Sequence, residues 1–369
     1  MSPAAELVAI RVAYVVLVVV SVLWLPGHVG LHGWGSFGDL VFGPFARWDA
    51  GWFVAIARHG YQNTQSAAFF PLYPLVVRAV AFVLRSEVAS GVLVSLASAA
   101  GAATMLARLP RGRAAVTLLA LYPLAFVFTA PYSDALFLLL AIASFDAARR
   151  GRSVAAGVLG GLAVASRLLG VALLPALAVL LWRRGPKHLA PLLLLPAALG
   201  AYMLYLHEHF GDWLEFAHAE GAYWLRHTPP LGPLQGLFDA FRSGEQGLAQ
   251  LVLHLPGGHY GKPEQFAIWN VVFLALLLVA VWLTWEAWRR LGAAYGVYSA
   301  ATLLIVLSSP ADVVPLVSLP RFLLADFPLF LALAAVLADR PRARRIVVDA
   351  FAAVGAVAAV AFARGSWVP

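Results

Sequence analysis

Eleven apolar runs joined by short arginine-rich turns constrain this chain more than any other feature. The runs fall near residues 8–25, 88–107, 114–130, 134–148, 153–166, 168–182, 189–206, 266–286, 292–309, 322–338 and 346–362. Several are shorter than the ~20 residues a straight transmembrane helix needs, so their ends are soft. The chain is 62% hydrophobic and 12% charged, with a mean hydropathy of +0.82. Soluble domains carry roughly 25% charged residues, and a soluble interior of this size has no room for so much apolar surface. The pattern predicts an all-α polytopic membrane protein, a bundle of about eleven transmembrane helices forming one integral-membrane domain over 1–369.

The turns orient the bundle. RLPRGR (108–113), RRGR (149–152), RRGPK (183–187), RR (289–290) and RPRARR (340–345) hold 15 of the 26 basic residues. With the N-terminus inside, all five lie on the cytoplasmic side, as positive charge in short loops requires. That accounts for the net charge of +8 without nucleic acid; no basic, aromatic-interleaved segment suggests a nucleic-acid groove. The opposite face receives a first outer loop at about 26–87, the turn at 131–133, a second large loop at about 207–265, the stretch at about 310–321 and the C-terminus. The first run reads as a retained span: Glu6 lies near its start and WLPGHVG follows, with no signal-peptidase site. AAFFPLYPLVVRAVAFVLR (67–85) is apolar enough to span, but Pro71, Pro74 and Arg78, and the charge pattern downstream, predict an interfacial or re-entrant helix.

Large loops on one face of a helical bundle are where a site is built, and six stretches carry candidate chemistry. RWDAGWFVAIARHGY (47–61) places Asp49, Phe53 and Ile56 on one helical face, with Trp48, Trp52 and Phe53 at headgroup depth. Asp49 there is either a partly desolvated general base or a helix cap in an interfacial anchor. Arg47, Arg58, His59 and Tyr61 complete that patch. AFFPLYPLVVR (68–78) reads as an aromatic belt or as a lipid-tail platform with Arg78 near a phosphate. YPLAFVFTAPYSDALF (122–137) sets Tyr132, Ser133 and Asp134 at the outer end of a span, where Ser133 or Asp134 can also N-cap the next helix.

ASRLLG (165–170) places Arg167 at an outer turn, where it either snorkels or meets a partner such as a phosphate or Asp134. LPRFLLADFPLF (319–330) holds Arg321 at the outer end of a span and Asp326 deeper within it, as functional groups or as a structural pair with another helix. HEHFGDWLEFAHAEGAYW (207–224) carries His207, His209 and His218, but their spacing lacks H-E-x-x-H, and a helix covering a cavity is the better reading than a metal site.

The absences narrow the chemistry. No cysteine is present, which removes disulfides, thiolate metal sites and Cys nucleophiles. No Walker A loop, dinucleotide fingerprint or nucleophile elbow is present, which argues against an ATP-driven pump and a Rossmann-type nucleotide-sugar enzyme; an activated sugar used on the outer face must arrive otherwise, for example on a lipid carrier. The chain shows no 20–50-residue repeat and no matched broken helices in its halves, which disfavours an inverted-repeat transporter.

Taken in order, RWDAGWFVAIARHGY, AFFPLYPLVVR, PLAFVFTAPYSDALF, ASRLLG and PRFLLADFPLF resemble the PIG-V family of glycosylphosphatidylinositol mannosyltransferases and their prokaryotic relatives. The spaced motifs run from about 47 to 330. Two departures are conservative: Asp134 stands where the eukaryotic pattern often has Glu, and Phe322 where it often has Tyr. The resemblance implies a C-type glycosyltransferase fold in a bacterial plasma membrane, with the site on the outer face. It implies a polyprenyl-phosphate mannose donor, a lipid-linked or glycolipid acceptor, Asp49 as catalytic base, and no metal or other cofactor. Arg321, Arg167 and Arg78 are the expected cations for the donor phosphate, with Tyr132, Ser133, Asp134, His59, Trp48, Trp52 and Tyr61 around the substrates. Two rivals stand beside it: a polyprenyl-phosphate carrier or flippase without transfer, and a glycosyltransferase using another lipid-linked sugar.

Overall fold

The computed structural model describes residues 1–24, 42–253, 264–366 and 368. Parts of both predicted outer loops, 26–41 and 254–263, lie outside the described residues. Among the described residues there is no strand. A single antiparallel bridge joins Arg226 to Ala311.

The helices in chain order are α1 (Pro3–Trp24), α2 (Asp49–His59), α3 (Leu72–Leu84), α4 (Glu87–Leu106), α5 (Gly112–Leu121), α6 (Asp134–Arg149), α7 (Ser153–Ser166), α8 (Leu173–Leu181) and α9 (Pro186–Phe210). They continue with α10 (Glu215–Trp224), α11 (Pro233–Val252), α12 (Glu264–Leu291), α13 (Ala293–Leu307), α14 (Leu319–Ala325), α15 (Phe327–Val336) and α16 (Pro341–Ala363). The chain is an all-α polytopic membrane protein. Its helices α1, α4, α9, α12 and α16 are long and apolar enough to cross a membrane, and α14 with α15 makes a sixth candidate if the bent pair is one span.

The predicted count of eleven is therefore not confirmed. The other five apolar runs fall on α5, α6, α7, α8 and α13, of 10, 16, 14, 9 and 15 residues. At 1.5 Å per residue even the longest reaches ~24 Å, short of a ~30 Å hydrocarbon core. Composition explains the breaks. Pro123 ends α5 before the 3-10 turn Ala125–Thr129, and extended backbone at Arg167 separates α7 from the 3-10 turn Leu168–Ala172. The 81° bend between α14 and α15 falls at Asp326, two residues before Pro328, which has no N–H to donate. The 67–85 segment is the 13-residue α3, too short to cross alone. The predicted second outer loop contains α10 and α11.

Local capping sets the elements around the N-terminal half of the site. The Ser86 side chain accepts from Ala89 N–H at 3.2 Å to start α4, and Asn63 accepts from Ser66 N–H at 3.0 Å in the turn before α3. The α4 helix packs against α3, α1 and α6, and α6 against α7. Gly91 permits α4 to approach the turn before α6, because a Cβ there would lie 2.7 Å from the Pro131 side chain. Beside it, the Tyr73 hydroxyl donates to the Gly91 carbonyl at 2.9 Å, and Ser95 Oγ donates to the Tyr132 carbonyl at 3.1 Å. These bonds fix the Pro131–Asp134 turn against α4.

A second cluster of buried side chains joins α2, α3, α9 and α10. Phe53, Tyr61, Phe69, Phe70, Tyr73, Tyr202 and Phe216 are its buried aromatic members. Phe53 is packed against protein, with Phe69 and Tyr73 edge-on, each at 5.1 Å.

Candidate functional site

Four charged side chains from four parts of the chain meet at one place. Asp134, at the first position of α6, is 1% exposed. Arg321, from α14, donates to it through a planar fork, Nη2 to Oδ2 at 2.9 Å and Nε to both oxygens at 3.2 Å. Arg167 bonds Asp134 Oδ1 through Nη1. Arg321 Nη1 turns the other way and bonds Asp49 Oδ2. The Arg321 guanidinium lies 4.5 Å above the Tyr132 ring, and that of Arg167 lies 5.5 Å from the Phe322 ring.

The cluster is charge-balanced, two carboxylates against two guanidinium groups. It is also asymmetric. Asp134 is sealed, whereas the Asp49 and Arg321 side chains keep 27% and 22% of their surface accessible. Asp134 therefore holds the arginines, and Asp49 is the more accessible of the two carboxylates.

Asp49 begins α2, preceded by Trp48 with φ 55° and ψ −126°. Positive φ in a non-glycine residue is backbone strain of the kind that gathers at functional sites. Trp48 makes no side-chain cap bond and remains 48% exposed. The strained turn is anchored from both sides. Arg47 Nε donates to the Ala363 carbonyl at the end of α16 at 2.9 Å, and the Tyr132 hydroxyl donates to the Arg47 carbonyl at 3.4 Å. Trp52, one turn along, stacks on Phe69 at 5.8 Å and meets Trp224 of α10 edge-on at 6.4 Å.

The structure brings Asp49, Trp48, Tyr132, Asp134, Arg167 and Arg321 together, and it sends four predicted residues elsewhere. Ser133 is buried at the start of α6 and makes no side-chain cap bond, so neither it nor the arginine-bound Asp134 caps as the sequence allowed. His59 ends α2, ten residues and ~15 Å from Asp49 along the helix, and is exposed. The Tyr61 hydroxyl donates to the Phe69 carbonyl at 2.6 Å, a structural bond within the aromatic cluster. Arg78 lies on the exposed side of α3 and touches none of the four charged groups. Asp326 is not paired with an arginine: Ser299 Oγ donates to it at 2.6 Å.

Three residues that the sequence reading passed over also belong here. Arg226 donates through Nη1 to the Ser309 carbonyl at 2.8 Å, through Nη2 to Ser318 Oγ, and pairs through Nε with Glu220 Oε2 at 3.1 Å. Ser318 immediately precedes α14, which carries Arg321. Burial pushes the Glu220 carboxyl above its usual range; Arg226 opposes that, the like charge of Asp49 adds to it, and Arg321 and Arg167 oppose it. The Glu220 side chain nevertheless keeps 40% of its surface accessible. Glu220 is thus a carboxylate paired with Arg226 and partly open to solvent.

A polytopic helical membrane protein with a half-open carboxylate–arginine cluster at the ends of its helices defines the class. The particular family comes from comparison with known proteins. Residues 36–184 match the family described as Mannosyltransferase (PIG-V). The match holds Asp49, Asp134 and Arg167, while Glu220 and Arg321 lie beyond it. GPI alpha-1,6-mannosyltransferase 2 of Rattus norvegicus is 35% identical over 159 residues, 37% of this chain and 32% of the rat protein. The enzymes of the same name from Cricetulus griseus and Mus musculus are each 34% identical, over 36% and 37% of this chain and 30% and 32% of their own lengths. The chain thus matches about a third of each curated relative.

Proposed function

We propose that this chain is a single-domain, C-type inverting mannosyltransferase. It moves a mannosyl residue from polyprenyl-phosphate mannose to a hydroxyl of a lipid-linked or glycolipid acceptor. The observation that carries this reading is the accessible Asp49 carboxylate held by Arg321 beside Arg167. A base and an anion-binding pair at one place suit attack by a hydroxyl with departure of a phosphate.

The acceptor hydroxyl gives its proton to Asp49 as its oxygen forms a bond to the anomeric carbon. The bond from that carbon to the donor phosphate breaks on the opposite face, and its electron pair leaves with the polyprenyl phosphate. The guanidinium groups of Arg321 and Arg167 offset the charge that grows on the leaving oxygen. Asp134 keeps both arginines aligned, and no metal is needed for any step.

The site is assigned to the non-cytoplasmic face of a plasma membrane. Two features support this. The arginine-rich turns carry the cytoplasmic signature, and the Arg149–Arg152 turn lies at the end of α6 and α7 opposite to Asp134 and Arg167.

The test uses the purified full chain in detergent with decaprenyl-phosphate mannose and a panel of synthetic glycolipid acceptors, the product read by mass spectrometry. A new mannoside with inverted anomeric configuration is expected. Donor binding without any glycoside would favour a lipid carrier and overturn the reading, and transfer of a different sugar would correct its donor.

A further inference from the structure

We propose that Glu220 is a positioning and specificity residue that accepts hydrogen bonds from the hydroxyls of a sugar ring lying over the Asp49–Arg321 pair. This rests on the mannosyltransferase reading and extends it to a residue outside the matched region.

Four observations carry it. First, α10 is seated at the site by aromatic contacts: Trp224 meets Trp52 and Phe69 edge-on at 6.4 and 5.5 Å, and the Tyr223 hydroxyl is 3.0 Å from Thr64 Oγ1. Second, Glu220, one turn before Trp224 on α10, lies within reach of the charges of Asp49, Arg321 and Arg167. Third, the carboxylate is oriented. Arg226, itself fixed on Ser309 and Ser318, holds Oε2, while Oε1 makes no hydrogen bond among the described residues. Fourth, that free oxygen belongs to a side chain 40% accessible.

An ionised carboxylate only accepts hydrogen bonds, and one pinned oxygen leaves the other to take vicinal hydroxyls. The neighbouring indoles of Trp52 and Trp224 offer apolar faces for the C–H side of a pyranose. The combination fits a sugar and not a bare phosphate, which Glu220 would repel. The sugar belongs to either the donor or the acceptor, and the two have separate probes.

Calorimetric titrations of the full chain in detergent with decaprenyl-phosphate mannose and with octyl α-D-mannopyranoside separate them. Glu220→Gln is expected to weaken one of the two by about 10- to 100-fold, the worth of a hydrogen bond to a charged group. Glu220→Asp, which keeps the charge, is expected to recover most of it. Unchanged affinity for both probes in Glu220→Gln, in a preparation whose wild type transfers mannose, overturns the inference and leaves the function standing. A wild type that binds neither probe overturns both. If Glu220→Gln lowers the melting midpoint, Tyr223→Phe decides: it removes the contact of α10 with Thr64 and leaves the Glu220–Arg226 pair intact. An equal loss of affinity in Tyr223→Phe marks a merely structural effect and overturns the inference; wild-type affinity there supports it.

Discussion

The two ends of α2 carry ionisable groups at similar density and use them differently. At the N-terminal end, Asp49 follows a strained Trp48, and its carboxylate is tied to an arginine 272 residues away in sequence. At the C-terminal end, Arg58 pairs with Glu87 through two bonds of 3.0 and 2.7 Å, with 58% of the arginine side chain in the open, and His59 is exposed. The difference lies in what surrounds the charge. A charge among buried groups must be matched and held, so its neighbours are fixed with it. A charge at the surface has water as a partner, and its ion pair contributes little.

Substitutions can break this contrast, beginning where the effect is largest. Asp49→Asn removes the proposed base while Asp134 still holds both arginines; a fall in single-turnover transfer of about 10²- to 10⁴-fold is expected, with the fold retained. Wild-type rates from Asp49→Asn would end the comparison at once. Asp134→Ala leaves Arg167 and Arg321 short of their shared partner, and should cost about 3–5 kcal/mol of stability as well as activity. Thermal unfolding in detergent measures it, and an unchanged midpoint would mean that the arginines find another anion.

Trp48→Gly separates strain from function. Glycine accepts the positive φ without penalty, so stability should hold or rise by about 1 kcal/mol. Transfer should nonetheless fall by about tenfold if the turn that aims Asp49 depends on the indole. The smallest effect belongs to the far end, where Arg58→Ala should change transfer by less than about twofold.

The same contrast explains what the sequence could reveal. Asp49, Asp134, Arg167 and Arg321 were legible because a charge within or beside an apolar run is conspicuous and needs a partner. Which partners they choose was not legible, since Asp134 could serve as a cap and Arg321 could pair elsewhere. His59 and Tyr61 were grouped with Asp49 by closeness along the chain, but a helix carries its two ends apart. Glu220 had no such contrast: it stands in a polar stretch with Glu208, Asp212 and Glu215, and only the fold of α10 against the Thr64–Ala68 turn selects it. The apolar runs marked where helices lie, whereas the breaks at Pro123, Arg167 and Asp326 decide how many are long enough to cross.

The bond between Arg47 and the carbonyl of Ala363 spans 316 residues, and that between Arg321 and Asp49 spans 272. A ribosome makes the Asp49 segment early and the groups that hold it near the end. Every nascent intermediate before α14 emerges has the carboxylate without its arginine, and every one before α16 has the strained turn without its bond to Ala363. On the proposed reading, transfer depends on a closure step made through contacts of very long sequence separation. Chains released before α14 would insert their first helices into the membrane and still lack the arginine that the proposed chemistry requires.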